Sequence, residues 1–424
     1  MLCVMMNRML ERVPWMSKPF AICAAKFLVS VLAVTLLASI GGARAESDRI
    51  VYAFQGGTDG AFPVAGLIVD KDGNFYGTTE RGGSGGNGGT VFKLTVGGTE
   101  TVLHVFRPHI RGARPVGSVI LDKRGNLYGT TSEGGSCSIS RHGCGTVFQL
   151  SPDGIEALLY SFQGGSDGAE PVAGLIAGNA GNLFGTASER PCCGTVFELA
   201  PDGSETVLHA FLGGSDGAIP FAGLIADTAG NLYGTTFTGG GTGCGSGCGT
   251  VFKLAPDGTE TILHSFAGGN DGTNPWSAVI IDKAGNLYGT TSLGGTGCSG
   301  GGCGVVFRVA PDGTEDVLYS FAGGKDGAGP EAGLISDNAG NLYGTTTTGG
   351  AACSINSFGC GTVFKLTPDG HETVLHAFEG GTDGAYPESE LVADGAGNLY
   401  GTTAAGGVSG CTGDGCGTVF SLRR

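Results

Sequence analysis

One phrase, Gly-Asn-Leu/Phe-Tyr/Phe-Gly-Thr, begins at Gly73, Gly125, Gly181, Gly230, Gly285, Gly340 and Gly397. A second, Gly-Thr/Val-Val-Phe, begins at Gly89, Gly145, Gly194, Gly249, Gly304, Gly361 and Gly417. The two alternate seven times in a fixed order. A chain written this way folds as an array of one supersecondary unit, because a unit of about 50 residues cannot bury both of its faces without neighbours.

Each unit reads as four strands. In the fourth copy these are Ala222–Asp227, Asn231–Thr236, Thr250–Leu254 and Glu260–Phe266. They are short, rich in Val, Ile, Thr and aromatics, and bounded by Gly, Pro and Asp. Four antiparallel strands at this period make a propeller blade. An open solenoid would need polar capping repeats, which the sequence lacks. The ends favour closure instead: Ile50–Phe54 matches the fourth strand of a unit, and Thr418–Leu422 matches the third. The sequence therefore predicts an all-β, seven-bladed β-propeller of four-stranded antiparallel blades, closed by the N-terminal strand in the last blade. The expected blades are residues 65–106, 117–162, 173–211, 222–266, 277–321, 332–378 and 389–422 with 50–54. The joins between second and third strands and from one blade to the next vary most in length. They share one face, which is where binding loops are expected.

Composition agrees. The 85 glycines in 424 residues fall in clusters and not at every third position, which excludes collagen. With 40% apolar residues in short runs, disorder is excluded as well. Residues 1–45 read as a cleaved leader. Arg8, Arg12, Lys18 and Lys26 precede the apolar run 27–40, and Ala43-Arg44-Ala45 supplies a small-x-small cleavage site. The run is shorter than the ~20 residues a membrane span requires. The remaining 46–424 would carry 18 basic and 37 acidic side chains. That balance opposes binding to nucleic acid or anionic membranes. The expected product is a monomer, secreted or periplasmic, without membrane insertion.

The whole repeat runs Gly-Asn-Leu-Tyr-Gly-Thr-Thr, a Gly-rich loop, Gly-Thr-Val-Phe-Lys-Leu, Pro-Asp-Gly, Glu-Thr-Val-Leu-His-Ser-Phe and Gly-Gly-x-Asp-Gly. Over residues 50–422 it closely resembles the Gloeo/Verruco (GloVer) tandem repeat of exported bacterial proteins. The pair Gly-Leu-Ile-x-Asp-x-x-Gly-Asn-Leu-Tyr is also similar to the inner half of NHL-type propeller blades. The resemblance implies an exported propeller and no particular activity. Members of that family often carry a C-terminal anchoring signal. This chain departs from that pattern, stopping at Arg424.

Twelve cysteines beyond the leader fall in pairs within the loops between second and third strands: Cys137 and Cys144, Cys192 and Cys193, Cys244 and Cys248, Cys298 and Cys303, Cys353 and Cys360, Cys411 and Cys416. Matched pairs in an exported chain read as disulfides. Zinc would need two further ligands per site. The adjacent Cys192 and Cys193 could form a vicinal bridge or stay unpaired.

Gly-Gly-x-Asp-Gly places Asp59, Asp167, Asp216, Asp271, Asp326 and Asp383 in equivalent joins. They read either as hard-cation ligands, with Ca²⁺ the candidate cofactor, or as aspartates that close turns between blades. His104, His209, His264 and His376 share a fourth-strand slot with Tyr52, Tyr160 and Tyr319, which marks a packing position with a polar tip. The clearest break in the repeat is the join 107–115. There Arg107, His109, Arg111 and Arg114 would gather with Arg81, Arg141 and His142 as an anion site, either as arginine forks for a carboxylate or as solvated drift. Three functions follow. The first is a non-catalytic propeller that presents its loop face to a glycan or protein. The second is a polysaccharide lyase or hydrolase acting on an acidic polymer through His109 or His142 with Glu80. The third is a calcium-stabilised adhesion module.

Overall fold

A computed structural model describes residues 48–424, apart from 85–86, 109–110, 138–139, 190–192, 242, 299–300, 408–409, 412 and 424. The expected leader lies outside the described residues. Seven antiparallel sheets follow one another around a ring, the first six built in chain order from inner to outer strand. The first blade holds Ile68–Val69, Phe75–Thr79, Thr90–Leu94 and Glu100–Val105. The seventh holds Val392–Ala393, Leu399–Thr403 and Thr418–Leu422, with Asp48–Ala53 as its outer strand. Asp48–Ala53 pairs antiparallel with Thr418–Leu422, Ala53 opposite Thr418.

Two repeated contacts bind blade to blade. The last Phe of each outer strand meets the third-strand Phe of the next blade edge to face. Phe106 and Phe148 lie 5.0 Å apart, Phe211 and Phe252 lie 5.1 Å apart, and Phe54 and Phe92 cross the closure at 5.2 Å. Such pairs contribute ~0.5–1.5 kcal/mol each beyond their buried area. The glycine inside each Gly-Asn-Leu-Tyr-Gly-Thr phrase exists for these rings. A Cβ on Gly77 would sit 2.7 Å from Phe92 Cζ.

The second contact is a threonine ladder. Thr78 Oγ1 donates to the Gly117 carbonyl of the next blade at 3.2 Å, and Thr130 donates to Ala173 at 2.8 Å. Thr402 donates to Ala65 at 3.2 Å and so joins the seventh blade to the first. This ladder explains a departure from the expected strand lengths. The innermost strands pair over only two residues, as in Ile225–Ala226. Upstream, the Ala222 carbonyl accepts from Thr186 of the neighbouring blade at 2.9 Å instead of from its own sheet.

Cys137–Cys144, Cys244–Cys248, Cys298–Cys303, Cys353–Cys360 and Cys411–Cys416 are disulfides. Cys192 lies outside the described residues, so the pair expected with Cys193 is not described. The sulfurs pack on the first glycine of the following join. A Cβ on Gly323 would meet Cys298 Sγ at 2.8 Å and Cys303 Sγ at 3.0 Å.

Candidate functional site

A cavity of ≈ 730 Å³ occupies the centre of the ring. It opens on the face bearing the long joins, since Ser140, His142 and Gly143 of the second blade's loop line it. Its wall is set by one repeated device. In each blade the residue before the join's proline adopts, or in one blade a glycine supplies, a left-handed backbone: Phe62, Arg114, Glu170, Ile219, Asn274, Gly329 and Tyr386, with φ between 49° and 65°. A β-branched residue such as Ile219 (φ 58°) is costly there. Two backbone hydrogen bonds hold the turn. Asn274 donates its N–H to Cys248 O at 2.8 Å, and its carbonyl accepts from Ser292 N–H at 3.1 Å. The equivalent pair recurs in the other blades, for example Tyr386 with Cys360 and Ala404.

The residue after each proline then projects into the cavity. These residues are Val64, Val116, Val172, Phe221, Trp276, Glu331 and Glu388, so the ring is apolar on one arc, aromatic on the next and acidic on the last. Trp276 lies 4.7 Å from Phe221 and 4.9 Å from Phe237, ring centre to ring centre. It keeps 39% of its surface exposed. Glu390 replaces the small residue that other blades carry at the cavity floor. It reaches across to the sixth blade, where a Cβ on Gly333 would lie 2.3 Å from its Oε1. The protein around Glu390 pushes its carboxyl up, and its exposure to the open cavity moderates that push. Burial pushes Glu388 up to about 7, helped by the charges of Glu331 and Glu80.

Of the residues singled out in the sequence, Glu80, Arg114 and His142 line the cavity. Arg114 is bracketed by two carboxylates, Glu80 and Glu133, the latter at 3.0 Å. Arg81 lies 3.3 Å from Glu80 and over the Phe62 ring. Arg107 and Arg141 are exposed, and His109 lies outside the described residues. Arg111 faces away from this group. Its Nη1 lies 3.8 Å from Glu156 Oε2 on the next blade's outer strand.

The position of Arg111 accounts for the break in the repeat. It occupies the slot held elsewhere by Asp59, Asp167, Asp216, Asp271, Asp326 and Asp383. Each of those aspartates accepts the backbone N–H four residues back, as Asp59 does from Gln55 at 2.9 Å. Each also bonds the Tyr or His of the shared slot, as Asp59 does with Tyr52 at 3.0 Å and Asp271 with His264 at 3.0 Å. None of the six lines the cavity. His264, Asp271 and Glu315, like His209, Asp216 and Glu260, lie close enough together to share a cation. Beside these aspartates the next blade's Glu100, Glu205, Glu260, Glu315 and Glu372 are pushed up to about 7, by burial first and then by the aspartate. At the first seam Arg111 turns that carboxyl pair into an ion pair. The same seam lacks a disulfide: Gly88 takes the cysteine's place, and Pro108 packs where the glycine would be.

Phe221, Trp276, Glu331, Glu388 and Glu390 were not singled out in the sequence. The signal for four of them is the position directly after the join's proline, whose chemistry changes from copy to copy between an invariant proline and a small residue; Glu390 stands two positions further on, where the other copies carry Gly, Ser or Ala.

The sequence profile of the Gloeobacter/Verrucomicrobia repeat matches residues 43–248 and 243–424. No curated protein matches. Among solved structures, a fungal alcohol oxidase of the AA5 family in complex with copper aligns at 14% identity, over 86% of this chain and 75% of that one, TM-score 0.54. The extracellular domain of a candidate one-component system from B. thetaiotaomicron aligns at 10%, over 89% and 40%, TM-score 0.51. A candidate 6-phosphogluconolactonase from Bacteroides uniformis ATCC 8492 aligns at 16%, over 79% and 88%, TM-score 0.48. The first two, at identities this low, speak to a shared fold alone.

Proposed function

The chain belongs to the Gloeobacter/Verrucomicrobia repeat family, and from that premise we propose that it is an exported, non-catalytic propeller that binds a glycan in its central cavity. Trp276 carries this reading. An indole braced by Phe221 and Phe237 at the edge of a carboxylate-lined cavity offers a flat apolar face beside acceptors for hydroxyl groups, the mixture a sugar ring requires. Five disulfides support export, because such bonds persist in oxidising compartments. No described helix is long and apolar enough to cross a membrane. Calorimetry against a panel of oligosaccharides tests the reading: Trp276→Ala should weaken any glycan bound by the wild type about tenfold or more, or ~1.4 kcal/mol. An unchanged affinity would move the site away from the cavity.

A second reading, hydrolysis of the bound glycan, draws on Glu388. A carboxyl pushed up to about 7 beside other carboxylates suits a general acid. Release of new reducing ends, abolished by Glu388→Gln, separates it from simple binding.

A further inference from the structure

We propose that the ligand selected by this cavity bears a free amine, as a de-acetylated amino sugar does; the inference rests on the glycan reading above. Among the described residues Arg114 is the one guanidinium on the wall, and Glu80 and Glu133 already bracket it. It therefore has little charge to offer a uronate or sulfate. Glu331, Glu388 and Glu390, from two adjacent blades, line the cavity with no ion pair to a cation of the described chain. The reach of Glu390 to Gly333 brings its carboxylate onto the blade that begins with Glu331.

This acidic arc adjoins the aromatic one, because Trp276 and Glu331 hold the same slot in neighbouring blades. An ammonium at that junction gains charge-assisted hydrogen bonds from the carboxylates and attraction from the indole face. It also relieves the mutual repulsion of Glu388, Glu331 and Glu80. A neutral sugar gains the stacking and hydroxyl hydrogen bonds but no attraction between opposite charges, and an anionic sugar is repelled.

The test is calorimetry on the full chain with oligomers of matched length: glucosamine, N-acetylglucosamine, glucose and galacturonic acid. The expected result is glucosamine binding at least about tenfold tighter than the neutral oligomers, with that preference erased in Glu331→Gln/Glu388→Gln. A wild type that binds a neutral oligomer as tightly as glucosamine overturns the amine inference and leaves the glycan reading standing. Tightest binding of galacturonate overturns the inference as well. Binding of none of the four overturns both. The wild-type comparison decides these outcomes even if the double variant does not fold.

Discussion

Replacing Arg111 tests whether the irregular join is a compensated seam. Its partner Glu156 has a side chain only 7% exposed, whereas that of Arg111 is 61% exposed. At 3.8 Å two unit charges attract by ~1 kcal/mol in water and ~4 kcal/mol at an effective dielectric of ~20. With one partner largely in solvent the lower figure applies. Arg111→Ala should thus cost about 1 kcal/mol near pH 8 and progressively less toward pH 5, as Glu156 takes up its proton. Arg111→Asp restores the residue of the other six joins. It regains the acceptor for the Arg107 N–H and for His104, a bond to a charged group being worth ~1.5–3 kcal/mol. It also sets a second carboxyl beside Glu156. That neighbour raises the folded-state pKa of Glu156, and a raised carboxyl contributes stability below its unfolded value that is lost as the pH climbs through its folded value. The aspartate variant should therefore match or exceed wild type near pH 5 and fall below it near pH 8. The alanine variant should never exceed wild type. Urea unfolding across that range decides the matter: an aspartate variant less stable than the alanine variant near pH 5 would refute the equivalence of Arg111 with the seam aspartates.

Three further outcomes follow from the same geometry. The melting temperature should peak on the acid side of neutrality. Glu100, Glu205, Glu260, Glu315 and Glu372 are pushed up to about 7, so stability falls as the pH rises from ~4.5 to ~7. The turn aspartates Asp70, Asp122, Asp227, Asp282 and Asp394 resist burial through Asn, Tyr and backbone donors and sit below their ordinary range, so stability is lost again below ~4; a profile rising steadily to pH 8 would contradict this. Gly323→Ala should destabilise more than Gly324→Ala in thermal melts. Both positions are left-handed, at a cost of ~1–2 kcal/mol for a Cβ, but only the first would press on a disulfide; equal losses would deny that packing. Chelation with EDTA should leave the melting temperature unchanged, because the join aspartates are occupied by N–H, Tyr and His partners; a fall of several degrees would make them calcium ligands.

The ring, its closure and the paired cysteines could be read from the sequence because each repeats, and a repeated residue reports a repeated contact. Phe92 over Gly77 and Thr78 on Gly117 are copied around the ring. The cavity was less legible for the opposite reason. Its residues follow the strained turn singly, and Trp276 or Glu390 in isolation resembles any exposed or drifting side chain. The break at 107–115 drew attention because several residues change together there. The structure accounts for much of it by compensation, Arg111 for Asp and Pro108 for Gly.

That contrast has a mechanical basis. A left-handed residue before proline persists only where the surroundings over-determine it, and here one bond comes from the preceding blade's loop and another from the residue after its own second strand. In five blades the loop bond ends on the carbonyl of a cysteine described in a disulfide, as in Glu170 to Cys144 and Asn274 to Cys248. The cross-link therefore braces the turn that aims the cavity residue. Once the turn is braced, the next side chain can change from valine to tryptophan to glutamate without altering the backbone that presents it. Reducing the disulfides should accordingly weaken cavity binding at temperatures where the seven sheets remain folded. Circular dichroism and calorimetry on the same reduced sample would show the two losses separating; if they coincide, the bridges support the ring as a whole and not the aim of its inner residues.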